Sequence, residues 1–338
     1  MLNASQFASM ANAAHSINIL SSFLSNEEIR DVNGLNQFFR SLPDPAAPSK
    51  VEEHQATDVI VFCASSVLSL ADVVFSAVTT NGLRSKEQIS KYTDATILEG
   101  RNTVLVLCGG IGHSTPFLYE AISNHPVYGV LADEVQGKAE SRVLQLIAER
   151  WYGVQTHDVG TVEATIQPND TNKFLVVVED RSTNCGGNAA ESKRVLEACG
   201  VYCPRSIVIV QDPTMSRRTV ATFQRAYDGE SDVLPQIKSW PTFTPKVKFI
   251  DNSKGLVDKD VMAQLVFDDE GCAHKTSGGM WSIRRFVDLI MGEIPRLRDD
   301  EEGYGPKGKD FVVHVDIPES VDAAWAMLYS LVGKQSRS

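Results

Sequence analysis

A chain of 338 residues, 43% hydrophobic and 22% charged, has an ordinary globular composition and is long enough to bury a core without disulfides or structural metals. Its 43 acidic residues outnumber the 32 basic ones, for a formal net charge of −11. That balance argues against sequence-independent nucleic-acid binding and against docking on an anionic membrane surface.

The first basic residue is Arg30, so no positive segment precedes an apolar one as in a secretory signal. The best membrane candidate, VLSLADVVFSAV, contains Asp72 and falls short of the roughly 18 uninterrupted apolar residues of a membrane helix. The six cysteines (Cys63, Cys108, Cys185, Cys199, Cys203 and Cys272) form no C-x-x-C pair. The expectation is a cytoplasmic protein in a reducing setting. The seven histidines show no H-x-x-x-H or H-E-x-x-H spacing, so no metal site is expected.

In chain order, residues 1–42 read as two helices, over ASMANAAHSINILSSFL and NGLNQFFRSL, after which Pro43, Pro45 and Pro48 break the chain. DVIVFCA, TVLVLC, KFLVVVED and SIVIVQD follow as continuous apolar runs, the pattern of strands buried on both faces. Helical patterns separate them: about Val67–Thr79, a helix from about Pro116, GKAESRVLQLIAERWYG, and GNAAESKRVLEAC. MSRRTVATFQRAY follows the last strand. Strand–helix alternation of this kind predicts a three-layer α/β sandwich of the Rossmann-like type, a parallel sheet with helices on both faces. In the last third, GLVDKDVMAQLVFDDEG, GGMWSIRRFVDLIMGEIPRLR and ESVDAAWAMLYSLV read as helices and DFVVHVDIP as a short edge strand. The expected division is N-terminal helices over 1–50, a Rossmann-like domain over 51–250 and a C-terminal helical part with a lid-like loop over 251–338. Both ends of the chain then form one smaller helical lobe.

Ligands of open parallel sheets bind beyond the carboxyl ends of the strands. After the first strand come Ala64, Ser65 and Ser66. After the second come Gly109, Gly110, Gly112, His113, Ser114 and Thr115, a group that reads either as a tight turn or as a cradle for an anion. After the third stand Glu179, Asp180, Ser182, Thr183, Asn184 and Asn188, and after the fourth Gln211, Asp212, Thr214, Arg217 and Arg218. Singly, Ser182, Thr183, Asn184, Asp212 and His113 read as helix caps. Together the clusters form one candidate site. Arg217 and Arg218 fall in a first helical turn, where they oppose the macrodipole and an anion between them would explain them. Glu179, and Glu140 from the neighbouring helix, can hold a ribose diol or an amino group. Ser114 lies outside a G-x-S-x-G elbow, so a hydrolase triad is not expected. RLRDDEEGYGPKGKDF (Arg296–Phe311) reads either as a solvated, ion-paired loop or as a lid. In the second case Arg296, Arg298 or Lys307 reaches an anion and Tyr304 stacks on a ring. His314 beside Asp316 is either a general base or structural.

Four stretches, GGIGHSTPFLY, EDRSTNCGGNA, VQDPTMSRRTVATF and GEIPRLRDDEEGYGPKGKDFVVHVD, in this order, resemble the YdcF type of the bacterial ElyC/SanA/YdcF superfamily, a domain of unknown function, over about Asp58–Pro318. The resemblance implies a Rossmann-like domain, a smaller helical part built from both ends, and binding of S-adenosylmethionine. It assigns binding to Gly109–Thr115, Glu179, Ser182–Asn184, Gln211–Thr214, Arg217 and Arg218, and implies no particular reaction. Ser65 and Ser66 stand where that type has a Gly-Asn-like turn, and segments near Gly82–Asn102, Tyr152–Asn172 and Gly255–Lys275 read as insertions. If the cleft is catalytic, as a transferase or hydrolase, Glu140, Glu179, His113 and Asp212 are its acid/base candidates. Two other readings stand beside this one. One is an enzyme acting on a phosphate-bearing or nucleotide-like substrate. The other is a non-catalytic sensor whose ligand orders the 296–311 loop for a partner. The partner expected first is a small molecule, and a homo-oligomer is among the outcomes the sequence allows.

Overall fold

The computed structural model describes residues 4–43, 57–79, 102–167, 170, 172–229, 234–249, 261–268 and 280–332. The four apolar runs are strands β1 (Thr57–Cys63), β2 (Asn102–Cys108), β3 (Phe174–Glu179) and β4 (Ser206–Val210). Every residue of β1, β2 and β4 is buried, because neither side of the pleat meets water. A fifth strand, β5 (Gln236–Ser239), completes a sheet of order β3-β2-β1-β4-β5 in which all pairs are parallel. Ile60 lies opposite Leu105 on one side and Val208 on the other, which sets the register of the three central strands.

The two-residue period of the strands sorts their side chains into two cores. Ile60, Phe62, Leu105, Leu107, Val208 and Val210 share one with α3 (Ser69–Val78), α4 (Thr115–Asn124) and α5 (Glu140–Tyr152). Val59, Val61, Val104, Val106, Ile207 and Ile209 share the other with α6 (Cys185–Ala198) and α7 (Ser216–Tyr227). This is the three-layer Rossmann-like architecture expected. The helices follow local signals. Asn184 caps α6 by accepting from Gly187 N–H at 3.0 Å. α5 buries Val143, Leu144, Ile147 and Ala148 along one face and ends at Gly153, whose φ of +63° continues no helix.

The chain lays β2 and β3 on one side of β1, then returns to place β4 and β5 on the other. The strand order therefore reverses between β1 and β4, the point at which open α/β sheets hold ligands in a crevice beyond the carboxyl ends of the strands.

The terminal helices α1 (Ala4–Ser25), α2 (Val32–Ser41), α8 (Ile283–Leu297) and α9 (Glu319–Val332) flank the sheet. α1 packs on α7, α8 and α9. The Asn18 amide pairs with both backbone groups of Val247, at 2.8 and 2.9 Å, and so seats α1 on strand β6 (Val247–Phe249). No helix among the described residues is long and apolar enough to cross a membrane.

Three expectations differ from the structure. DFVVHVDIP is not a strand. The N–H groups of Phe311 and Val312 bond to Tyr304 O, and that of Val313 to Ala221 O on α7, which leaves no ladder to form. The stretch expected to be helical over 255–271 contains, where described, a 3₁₀ turn (Val261–Gln264) and β7 (Leu265–Phe267), paired antiparallel with β6. The short strands β5 and β6 were not expected, because three or four residues carry no measurable period. Of the three apparent insertions, those near Gly82–Asn102 and Gly255–Lys275 lie largely outside the described residues, as does Cys272.

Candidate functional site

The glycine loop after β2 is held on both sides. Gly109 N–H donates to Glu179 O at 3.0 Å and Gly110 N–H to Ser182 O at 2.8 Å. From the opposite side the first turn of α5 donates to the same loop, Glu140 N–H to Gly110 O and Ser141 N–H to Gly109 O. Gly112 N–H is taken by Thr115 Oγ1 at 2.8 Å. The three amides that looked free to cradle an anion are therefore engaged within the protein. The glycines answer a packing need. Gly109 has φ +147°, and a Cβ on Gly110 would lie 2.3 Å from Ser182 O. Gly110→Ala is accordingly expected to cost about 2–3 kcal/mol, read as a lower urea midpoint at unchanged m.

Two of the carboxylates at the strand ends are fully occupied. Glu179 is 1% exposed and accepts from the N–H groups of Arg181 and Ser182, from Ser182 Oγ and from Cys108 Sγ. It folds the β3 loop over the glycines. Asp212 is 4% exposed. Its Oδ1 accepts from Thr214 N–H and Oγ1, and its Oδ2 from Ser65 Oγ at 3.1 Å and Trp281 Nε1 at 3.2 Å. Burial raises its pKa and the hydroxyl, amide and indole donors hold it down, with a net rise. Asp212 thus fastens the end of β1 to the β4 loop and to the segment entering α8. Gln211 turns back on the same loop, its Oε1 accepting from Asp212 N–H.

Glu140 is different. Its Oε1 accepts from Ser114 Oγ at 2.9 Å and Thr115 Oγ1 at 2.8 Å, while its Oε2 accepts no hydrogen bond among the described residues. Its side chain flanks Gly109, as does Ala64 at the end of β1, so this spare acceptor lies beside the carboxyl ends of β1 and β2. Burial raises its pKa against the two hydroxyl donors. His113, Ser114, Thr183 and Asn184 are exposed, and Asn188 is half-buried, its carbonyl 3.9 Å from Cys108 Sγ.

Neither arginine of the pair on α7 is presented as expected. Arg217 donates from Nε to Phe23 O at 2.6 Å and stacks on the Phe23 ring, where burial lowers its pKa. Arg218 is closed off by Glu293 of α8, whose side chain has no exposed surface. Their position in a first helical turn is explained by the helical lobe packed on α7. The 296–311 loop is clasped too. Arg296 donates to Gly292 O, Arg298 to Asp322 at 3.0 Å, and Lys307 lies 3.7 Å from Asp299. Tyr304 packs edge-on against Phe311, and Arg225 of α7 holds Asp310. His314 sits between Asp299 at 2.8 Å and Asp316 at 3.1 Å, and these bonds raise its pKa. It belongs to this clasp.

Three residues of the edge were not anticipated: Trp281, Glu293 and Arg285. Trp281 is 6% exposed and bonded to Asp212. Arg285 stacks its guanidinium over the Phe117 ring of α4, 3.5 Å from the centroid. Only Trp281 left a trace in the sequence, a tryptophan just before the Ser282 cap of α8. Among the described residues no group of three or more His, Cys, Asp or Glu is arranged to hold a metal ion. No protein-family model matches the chain.

Proposed function

We propose that this is a YdcF-like, S-adenosylmethionine-binding protein of the cytoplasm, with the ligand seated in the crevice between the carboxyl ends of β1 and β4. The observation that carries the reading is the charge of the crevice. The strand ends offer the free Oε2 of Glu140, while Arg217 and Arg218 are bound to the helical lobe. A carboxylate with a spare acceptor, and those two cations turned elsewhere, favours a ligand that presents hydroxyls and positive charge over one that presents several phosphates. S-adenosylmethionine has a ribose diol, an ammonium and a sulfonium. The residues offer it two kinds of contact: Glu140 can accept from the diol or the ammonium, and Ile111 offers exposed apolar surface to the adenine. Because protonation removes the acceptor charge of Glu140, affinity should fall as acid titrates that group, at a pH above the ordinary glutamate value.

The test is thermal unfolding of the full chain with S-adenosylmethionine, S-adenosylhomocysteine, ATP or phosphate, on the wild type and on Glu140→Gln. A ligand at about 100 times its Kd adds about 2.7 kcal/mol of stability, which moves the midpoint by several degrees. The expected result is a shift with the adenosyl compounds that Glu140→Gln reduces. A shift with ATP or phosphate alone would overturn the reading in favour of a phosphate-bearing substrate.

A further inference from the structure

We infer that Arg285 reads the carboxylate of the ligand held at this edge, so that the helical lobe supplies one wall of the site. The inference rests on the adenosyl-ligand reading above. Arg142, Arg205, Arg218, Arg225 and Arg298 each pair with a carboxylate. Arg285 has no ion pair among the described residues, and its Nε is buried without a hydrogen-bond partner. In a chain with a formal charge of −11, acidic partners are abundant, yet among the described residues this half-buried guanidinium meets an aromatic face and no carboxylate. A buried donor left unmade is costly, and a cation–π contact offsets part of that cost without using the in-plane N–H groups. Stacking on Phe117 also holds the guanidinium plane fixed, the preorganised form that meets a planar carboxylate with two parallel hydrogen bonds.

The position is as telling as the chemistry. Trp281, four residues earlier, bonds to Asp212 on the β4 side of the crevice. Phe117 follows by two residues Thr115, which bonds to Glu140 on the β2 side. The stretch from Trp281 to Arg285 therefore reaches from one wall to the other past the end of β1. A guanidinium from α8 together with the Glu140 acceptor suits an amino acid end, one carboxylate with one ammonium. A triphosphate would instead bring several negative charges toward Glu140.

Isothermal titration of the full chain with S-adenosylmethionine and with its decarboxylated analogue tests this. Arg285→Met is expected to weaken S-adenosylmethionine roughly tenfold to a hundredfold, the range for a lost hydrogen bond to a charged group. It should leave the decarboxylated analogue unchanged. Arg285→Lys, which keeps the charge and loses the fork, should fall between, and guards against a folding defect of the first variant. Arg181→Met, at an exposed arginine after β3, should bind as the wild type does. If the wild type binds S-adenosylmethionine and Arg285→Met binds it equally well, the role of Arg285 is overturned and the adenosyl reading stands. If the wild type binds neither compound, both fall.

Discussion

Glu293→Ala is expected to lose about 3–5 kcal/mol of folding stability, the cost of stranding one member of a buried ion pair. Glu293 has no exposed side-chain surface and its partner Arg218 is only 11% exposed, so water cannot take over the lost contact. Removing both charges, as in Arg218→Met with Glu293→Leu, should recover most of the loss, because well-packed apolar side chains need no desolvation of charge. The pair also joins α7 of the sheet to α8, and α8 with its entering segment carries Arg285 and Trp281. Glu293→Ala should therefore weaken ligand binding in the fraction that still folds. Urea unfolding and titration on one preparation check both effects. Stability within about 1 kcal/mol of wild type would show that the pair is not the tie described, since even an exposed pair can contribute that much.

Asp58→Ala should lose a similar amount, about 3–5 kcal/mol, and leave ligand affinity intact. Asp58 is 1% exposed at the amino end of β1. It accepts from Nε and Nη2 along one edge of the Arg205 guanidinium and, at 2.6 Å, from Ser206 Oγ. Arg205 in turn donates to Phe39 O at 3.1 Å and Leu42 O at 3.2 Å, closing the C-terminal end of α2. Without Asp58 the guanidinium is left buried and α2 loses its anchor to the sheet. This network is at the opposite end of the strands from the crevice, so only stability should respond. Two variants of matched instability that differ in ligand affinity would separate the helical lobe's part in the site from its part in the fold. A loss of affinity in Asp58→Ala equal to that in Glu293→Ala would erase that distinction.

The layering of the fold, and the edge at which to look for a site, are legible in local stretches of the chain. Buried parallel strands announce themselves locally, because a run such as Thr103–Cys108 needs no knowledge of its neighbours to be read as covered on both faces. Polar residues directly after such runs must then collect at one edge. The glycines were equally visible, but their reason was not. Gly110 is required by a carbonyl of the next strand's loop, 72 residues on, and only the register of β2 against β3 brings the two together. Which polar groups bind one another depends instead on the packing of distant elements. Asp212 finds Trp281 across 69 residues and Arg218 finds Glu293 across 75. Hydrogen-bond partners so far apart leave no periodic trace, since each depends on how the helical lobe settles on the sheet. For the same reason Arg217 and Arg218, conspicuous in the sequence, are turned inward, while Arg285, unremarked in IRRF, stacks on Phe117 with no ion pair among the described residues.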